Sequence, residues 1–240
     1  MKKLSHLLAA AALLASIHSA TAADLTGKIT LKGAPLKGPQ FDIGGDPGCG
    51  NPAGGKVGNT PWYVVDAGGG LADVFVYLKS VTTKSPAPAM PALLDQKNCQ
   101  YSPYVQGIMV GQTLQVKNSD MAFHNVHPTP AAGTGNQESN KSQLAGAPLI
   151  NYTFPDQEIF LRFKCDVHGW MFAYVCVLPH PYFAVSKADG TFTIKNVPAG
   201  NYTIEAVHRK THPGGAGVSK NITVSATGGT ADFTIDAATQ

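Results

Sequence analysis

Short apolar runs, each stopped by glycine, proline or an Asp-Gly pair, recur from Leu25 to Ile235 and decide the fold class of this chain. Leu25–Leu31 alternates apolar and polar residues and ends at Gly33 and Pro35. Asp73–Lys79, Glu158–Lys164, Thr191–Lys195 and Asn201–His208 follow the same plan, closed by turns such as Pro155-Asp156, Asp189-Gly190 and Pro198-Ala199-Gly200. Beyond the first 22 residues no useful stretch keeps the 3.6-residue period of an amphipathic helix. The 26 glycines and 17 prolines separate apolar runs and form no repeat, so they read as turns and not as a disordered tract. Strands recurring about every eight to twelve residues predict an all-β protein built as sandwiches.

Three runs stand apart. Val105–Val110 and Thr113–Lys117 read as strands around a tight Gly111-Gln112 turn. Phe172–Leu178 is continuously apolar, which predicts a strand buried on both faces, with Cys176 inside it as a small buried hydrophobe.

Residues 1–22 have the form of a cleaved secretory leader. Lys2 and Lys3 precede a Leu/Ala-rich run that is too short to span a bilayer, and Ala20-Thr21-Ala22 is a small-residue cleavage site. Its removal leaves the formal charge of +3 close to neutral. That gives no electrostatic reason to expect nucleic acid as a partner, and no membrane span is expected after leader removal. Export places the chain in the periplasm or outside the cell, where disulfides persist. Cys49 and Cys99 lie in polar, turn-rich surroundings that suit a bridge between two loops, although sequence alone does not fix the pairing.

Chemistry concentrates in Cys165-Asp166-Val167-His168-Gly169-Trp170-Met171, where a thiol, an imidazole and a thioether follow one another at steps of three residues. His124, upstream in Phe123-His124-Asn125-Val126-His127, adds a second imidazole. Thiolate and thioether are soft ligands and imidazole is borderline, so Cys165, His124 and His168 with Met171 as a weak fourth ligand suit one copper ion. Zinc normally takes four strong ligands, which Met171 does not supply. His127 is close enough to be a second-layer group or an alternative ligand, but an extended segment would turn it to the face opposite His124. His208 and His212, at a strand end and in a Gly/Pro loop, read as surface residues.

The run from Gly111-Gln112-Thr113-Leu114 through Asn118-Ser119-Asp120 and His124-Asn125 to Cys165, His168 and Met171 resembles the cupredoxin (blue copper) family, with the short ligand loop of amicyanins. The resemblance implies a Greek-key β-sandwich over residues 99–179 and one type 1 copper. It also implies a hydrogen bond from the backbone N–H of Asn125 to the Cys165 sulfur, and an exposed His168 edge for electron passage, with Trp170 and Phe172 beside it. Gly169 departs from amicyanins, which have proline there. The flanking sequence resembles carboxypeptidase regulatory-like sandwiches in Gly27-Lys28-Ile29 to Gly33-Ala34-Pro35, Asp189-Gly190-Thr191-Phe192 and Val197-Pro198-Ala199-Gly200. Residues 23–80 and 180–240 are therefore expected to form one sandwich, with 81–98 as a linker and the copper module inserted.

These resemblances imply a non-enzymatic one-electron carrier that exchanges electrons with a cytochrome or oxidoreductase through a transient interface. Two alternatives are a copper storage or delivery protein and a carbohydrate- or protein-binding module whose copper site is structural or vestigial. For the binding module, Trp62-Tyr63 and Tyr182-Phe183 are the candidate stacking residues.

Overall fold

The computed structural model describes residues 21–41, 48–49, 58–59, 62–212 and 216–237. Every regular element among them is a strand, nineteen in all. Residues 1–20 of the expected leader lie outside the described residues. Ala22 and Ala23 already belong to the first strand, where they pair with Pro198 and Val197.

The chain ends meet in one module. Ala22–Lys32 pairs antiparallel with Thr191–Pro198 and parallel with Gly229–Thr230 and Phe233–Asp236. A second sheet runs in the order Phe183–Val185, Val74–Leu78, Gly200–His208, Val218–Val224. Leu25, Ile29, Val74, Val76, Phe192, Ile194, Ile204 and Phe233 fill the space between these sheets. The strand expected at Asp73–Lys79 spans Val74–Leu78 and belongs here, as its place in 23–80 requires. Among the described residues, Trp62–Val65 makes a single bridge, Val65 to Leu71.

The intervening chain forms its own sandwich. One sheet is ordered Lys141–Gln143, His124–Thr129, Glu158–Lys164, Phe172–Leu178, Val105–Met109, and the other Ile150–Tyr152, Leu114–Asn118, Ala92–Lys97, Gln100–Ser102. Leu94, Ile108, Leu114, Val116, Val126, Leu161, Phe163 and Val175 form its core. One expectation needs correction. The span 81–98 is not all linker, because Ala92–Lys97 is a strand paired parallel with Leu114–Asn118. Its inward positions are Leu94 and Gln96, both fully buried, and the buried glutamine hides the apolar alternation. Val105–Met109 and Leu114–Asn118 are the two expected strands around the Gly111 turn, and they lie in different sheets. The turn at Gly111, with φ +77°, carries the chain from one sheet to the other.

A third cluster joins the two modules. Phe75, Tyr77 and Val207 from the outer module meet Val105, Phe160, Tyr174, Cys176 and Leu178 from the inserted one. The period of two along a strand accounts for it. In Phe172–Leu178, Ala173, Val175 and Val177 enter the inserted core while Tyr174, Cys176 and Leu178 enter the seam. In Val74–Leu78, Val74, Val76 and Leu78 enter the outer core while Phe75 and Tyr77 enter the seam. A bulge in Glu158–Lys164, with Phe160 at φ +63°, lets Phe160 reach the seam while the next residue, Leu161, fills the core. The chain crosses between modules twice, and the crossings are tied by the Ser85 N–H to the Pro179 carbonyl at 2.8 Å.

Gly107 marks the closest approach at the seam. A Cβ there would lie 2.4 Å from the Phe183 ring and 2.8 Å from that of Phe75. Gly107→Ala is therefore expected to destabilise the protein by roughly 1–3 kcal/mol through overpacking. The check is a lower denaturant midpoint with an unchanged slope.

Candidate metal centre

Cys165 directly follows the Glu158–Lys164 strand, and Met171 directly precedes Phe172–Leu178, the strand paired beside it. The loop between them is closed by its own backbone. The Cys165 N–H donates to the Met171 carbonyl at 3.0 Å, and the Met171 N–H to the His168 carbonyl at 2.8 Å. The loop thus brings Cys165, His168 and Met171 to one end of the sandwich. A Cβ on Gly169 would meet nothing within 4 Å, so its environment does not demand glycine.

His124 arrives at the start of His124–Thr129, on the strand next to Glu158–Lys164. The Asn118 side chain organises its approach by donating to the carbonyls of Ala122 (2.9 Å) and Gln143 (3.0 Å) and accepting the Asp120 N–H (2.9 Å). Asp120 is then the orienting carboxylate for His124, with Oδ2 2.9 Å from Nε2. The same carboxylate accepts the backbone N–H groups of Asn98 (2.7 Å) and Cys99 (2.9 Å). Those two residues are the loop of the hairpin Ala92–Lys97/Gln100–Ser102, with φ of +55° and +52°, the left-handed pair that a two-residue type I′ turn requires.

The donor atoms converge. His124 Nδ1 lies 3.0 Å from His168 Nδ1, and His168 Nδ1 lies 3.5 Å from Cys165 Sγ. One ligand atom from each of the three residues falls within 4.8 Å of the other two. Ligands about 2.0–2.3 Å from a common ion stand at comparable separations. Burial is nearly complete: His124 is 0% exposed, Cys165 2%, His168 2% and Met171 1%. Met171 packs in the same core cluster as Cys165. One thiolate and two imidazoles, with a thioether beside them, fit copper.

Asn125 fastens strand to loop. Its backbone N–H reaches Cys165 Sγ at 3.5 Å, and its side-chain oxygen accepts the Asp166 N–H at 2.7 Å. The Asn125 carbonyl in turn accepts the hydroxyl of Tyr101 at 2.8 Å. Burial, followed by the charge of Cys165, holds that hydroxyl protonated far above the usual tyrosine range. Tyr101 carried no sequence signal, because its role depends on a hairpin that pairing with Leu114–Asn118 creates. His127 sits on the outer face, between Asp166 Oδ2 (2.6 Å) and Glu138 Oε1 (2.8 Å), as the alternation from His124 requires. Lys164 and then His127 hold the Asp166 carboxyl below the ordinary carboxylate range.

The expected exposed edge of His168 is absent. Its Nε2 lies 3.5 Å from Cys49 Sγ, and its ring lies 5.1 Å from that of Trp170. Cys49 is bonded to Cys99, and Trp170 donates its indole N–H to the Cys99 carbonyl at 3.1 Å. Cys49, which follows the outer module's first strand in sequence, thus lies against the inserted module with its sulfur beside the imidazole. Trp170 and Phe172 do not form one patch: Trp170 packs against the inserted core and Phe172 against the seam.

The remaining candidates are committed elsewhere. His208 is not a surface residue: it is 3% exposed, with its ring stacked on Tyr63 at 4.7 Å. Tyr63 is itself 8% exposed, Phe183 packs against Phe75, and Tyr182 stacks on His180. Of the aromatic residues considered for sugar stacking, Trp62 carries the Lys210 ammonium over its ring at 3.2 Å.

No protein-family model and no curated protein matches the chain. Solved structures similar to it include an oxidised glycine-substituted variant of amicyanin, at 20% identity and a TM-score of 0.33, covering 42% of this chain and 97% of that one. A purple cupredoxin from Nitrosopumilus maritimus shows 22% identity and a TM-score of 0.30 over 36% of this chain and 98% of that one. A Cu-containing nitrite reductase from Thermus scotoductus SA-01 shows 19% identity and a TM-score of 0.33 over 42% of this chain, but the match spans only 25% of the reductase chain.

Two outcomes follow. Asp120→Ala removes the acceptor on His124 and is expected to weaken metal binding about 10–100-fold, read by competition with a chromophoric chelator. Separately, burial and then the nearby His212 and Arg209 push His208 down to about 4 from 6.5. The unfolded chain then binds the extra proton first, so stability falls as pH drops from 6.5 towards 4 and is unaffected above that window. The loss is on the order of 3 kcal/mol. Asp73, pushed up to about 6 by burial, acts in the opposite sense below that pH. The check is therefore the difference between wild type and His208→Gln, whose stability should lose this component of the acid slope.

Proposed function

We propose that this chain is an exported mononuclear copper protein of cupredoxin type that carries single electrons between redox partners. Cys165, His124 and His168 are the three main ligands, and Met171 is the weak axial one. The observation that carries the reading is the convergence of a thiol sulfur and two imidazole nitrogens within 4.8 Å at a site 0–2% exposed. Copper, when bound there, supplies a one-electron couple.

The protein's part is to keep the donor set unchanged between oxidation states. Cys165 and Met171 are tied by their own backbone, His124 is oriented by Asp120, and Asn125 holds both the Cys165 sulfur and the loop entrance. A centre closed on all sides by protein favours electron carriage over catalysis, which needs an open coordination position. With His168 covered, the docking surface in this reading is the exposed apolar residues next to the ligands in sequence: Met121 (90% exposed), Phe123 (40%) and Val167 (52%). A cytochrome or oxidoreductase binding there would do so through a small, transient interface. The leader-like first residues support a periplasmic or secreted location.

The deciding experiment is the absorption spectrum of oxidised, copper-loaded protein. An intense visible thiolate-to-copper band is expected, and Cys165→Ser should abolish it. One bound copper beside a reduced Cys165 without that band would overturn the proposal.

A further inference from the structure

The two imidazoles of the centre have a second side. Their Nδ1 atoms face one another and Cys165, while each Nε2 faces the crosslink or the carboxylate beside it. His168 Nε2 lies 3.5 Å from Cys49 Sγ, and His124 Nε2 lies 2.9 Å from Asp120 Oδ2. Cys99, Asp120 and His124 each offer a ligand atom, all within 4.8 Å of one another, so the crosslink sulfur lies at the edge of the first centre and shares His124 with it. Cys99 is 2% exposed and Cys49 is half-buried. As a disulfide, the two sulfurs have no thiolate to offer.

We propose that reduction of the Cys49–Cys99 disulfide opens a second metal site, which takes one Cu(I) ion between the two thiolates. An external dithiol supplies two electrons and two protons and is itself oxidised to a disulfide, while Cys49 and Cys99 become thiols. Binding of Cu(I) then releases both thiol protons to solvent. Two thiolates suffice for this soft monovalent ion. Zinc would need further strong donors. Asp120 is poorly placed to be one, since it already accepts three N–H groups, from Asn98, Cys99 and His124. Those same bonds hold the Cys99 turn in its left-handed conformation independently of the crosslink. The Cα atoms of Cys49 and Cys99 are 5.6 Å apart, so side-chain rotation is enough to part the sulfurs around an ion.

The site differs from the Cys165 centre in its sulfurs and in its redox condition, and the proposal rests on the copper-carrier reading only for the ion at Cys165. The test is an anaerobic Cu(I) titration of the full chain against a chromophoric Cu(I) chelator. Oxidised wild type should bind one equivalent and dithiol-reduced wild type two. Reduced Cys49→Ser/Cys99→Ser should bind one. Reduced Cys165→Ala should also bind one, now at the crosslink, so failure of the first centre leaves this arm readable. Cys176 is fully buried and stays out of the count. In reduced wild type, the second equivalent should protect Cys49 and Cys99 from alkylation, a readout that needs no variant. Reduction that adds no equivalent to wild type, an added equivalent that survives Cys49→Ser/Cys99→Ser, or full alkylation of both cysteines after loading would overturn the proposal.

Discussion

Everything in this molecule hangs on the burial of Phe172–Leu178 on both faces. One face closes the core of the inserted sandwich and the other closes the seam against the outer one. Its partner strand, Glu158–Lys164, leads directly into Cys165, and its own start follows Met171. The ligand loop is thus suspended between two adjacent strands, one of which neither module can release without exposing apolar surface. Each fully buried large side chain along it contributes on the order of 1.5–3 kcal/mol.

Precision at the centre comes from a small set of polar contacts that converge on it. Asp120 joins the Asn98-Cys99 turn to His124, and Tyr101 braces the backbone of Asn125, whose N–H reaches the Cys165 sulfur. These contacts cross between the two sheets of the inserted module, so the donor geometry depends on sandwich packing. A buried polar group must find a partner, and here the partners are the segments that deliver the ligands.

The outer module also reaches the centre. Through Cys49 it places a sulfur over His168, at the edge a copper carrier of this type was expected to leave open. Insertion makes this geometry available: Cys49 and the Asn98-Cys99 turn at the start of the inserted module are fifty residues apart in sequence but bonded in space.

The sequence by itself determined the strand-and-turn texture and the two-faced character of Phe172–Leu178, because period-two burial is a local property, and its run Cys165, His168, Met171 with His124 upstream named the candidate donors that the fold brings together. It also placed His127 opposite His124 by parity alone. Only the tertiary structure decided that Ala92–Lys97 is a strand, since a buried Gln96 breaks the apolar alternation and the pairing partner, Leu114–Asn118, is remote. Likewise the burial of His168 and His208, and the roles of Asp120 and Tyr101, arise from segments brought together by sheet pairing and by a disulfide spanning fifty residues. Local pattern reports which way a side chain faces along its own strand. What lies on the other side of that face is set by long-range packing.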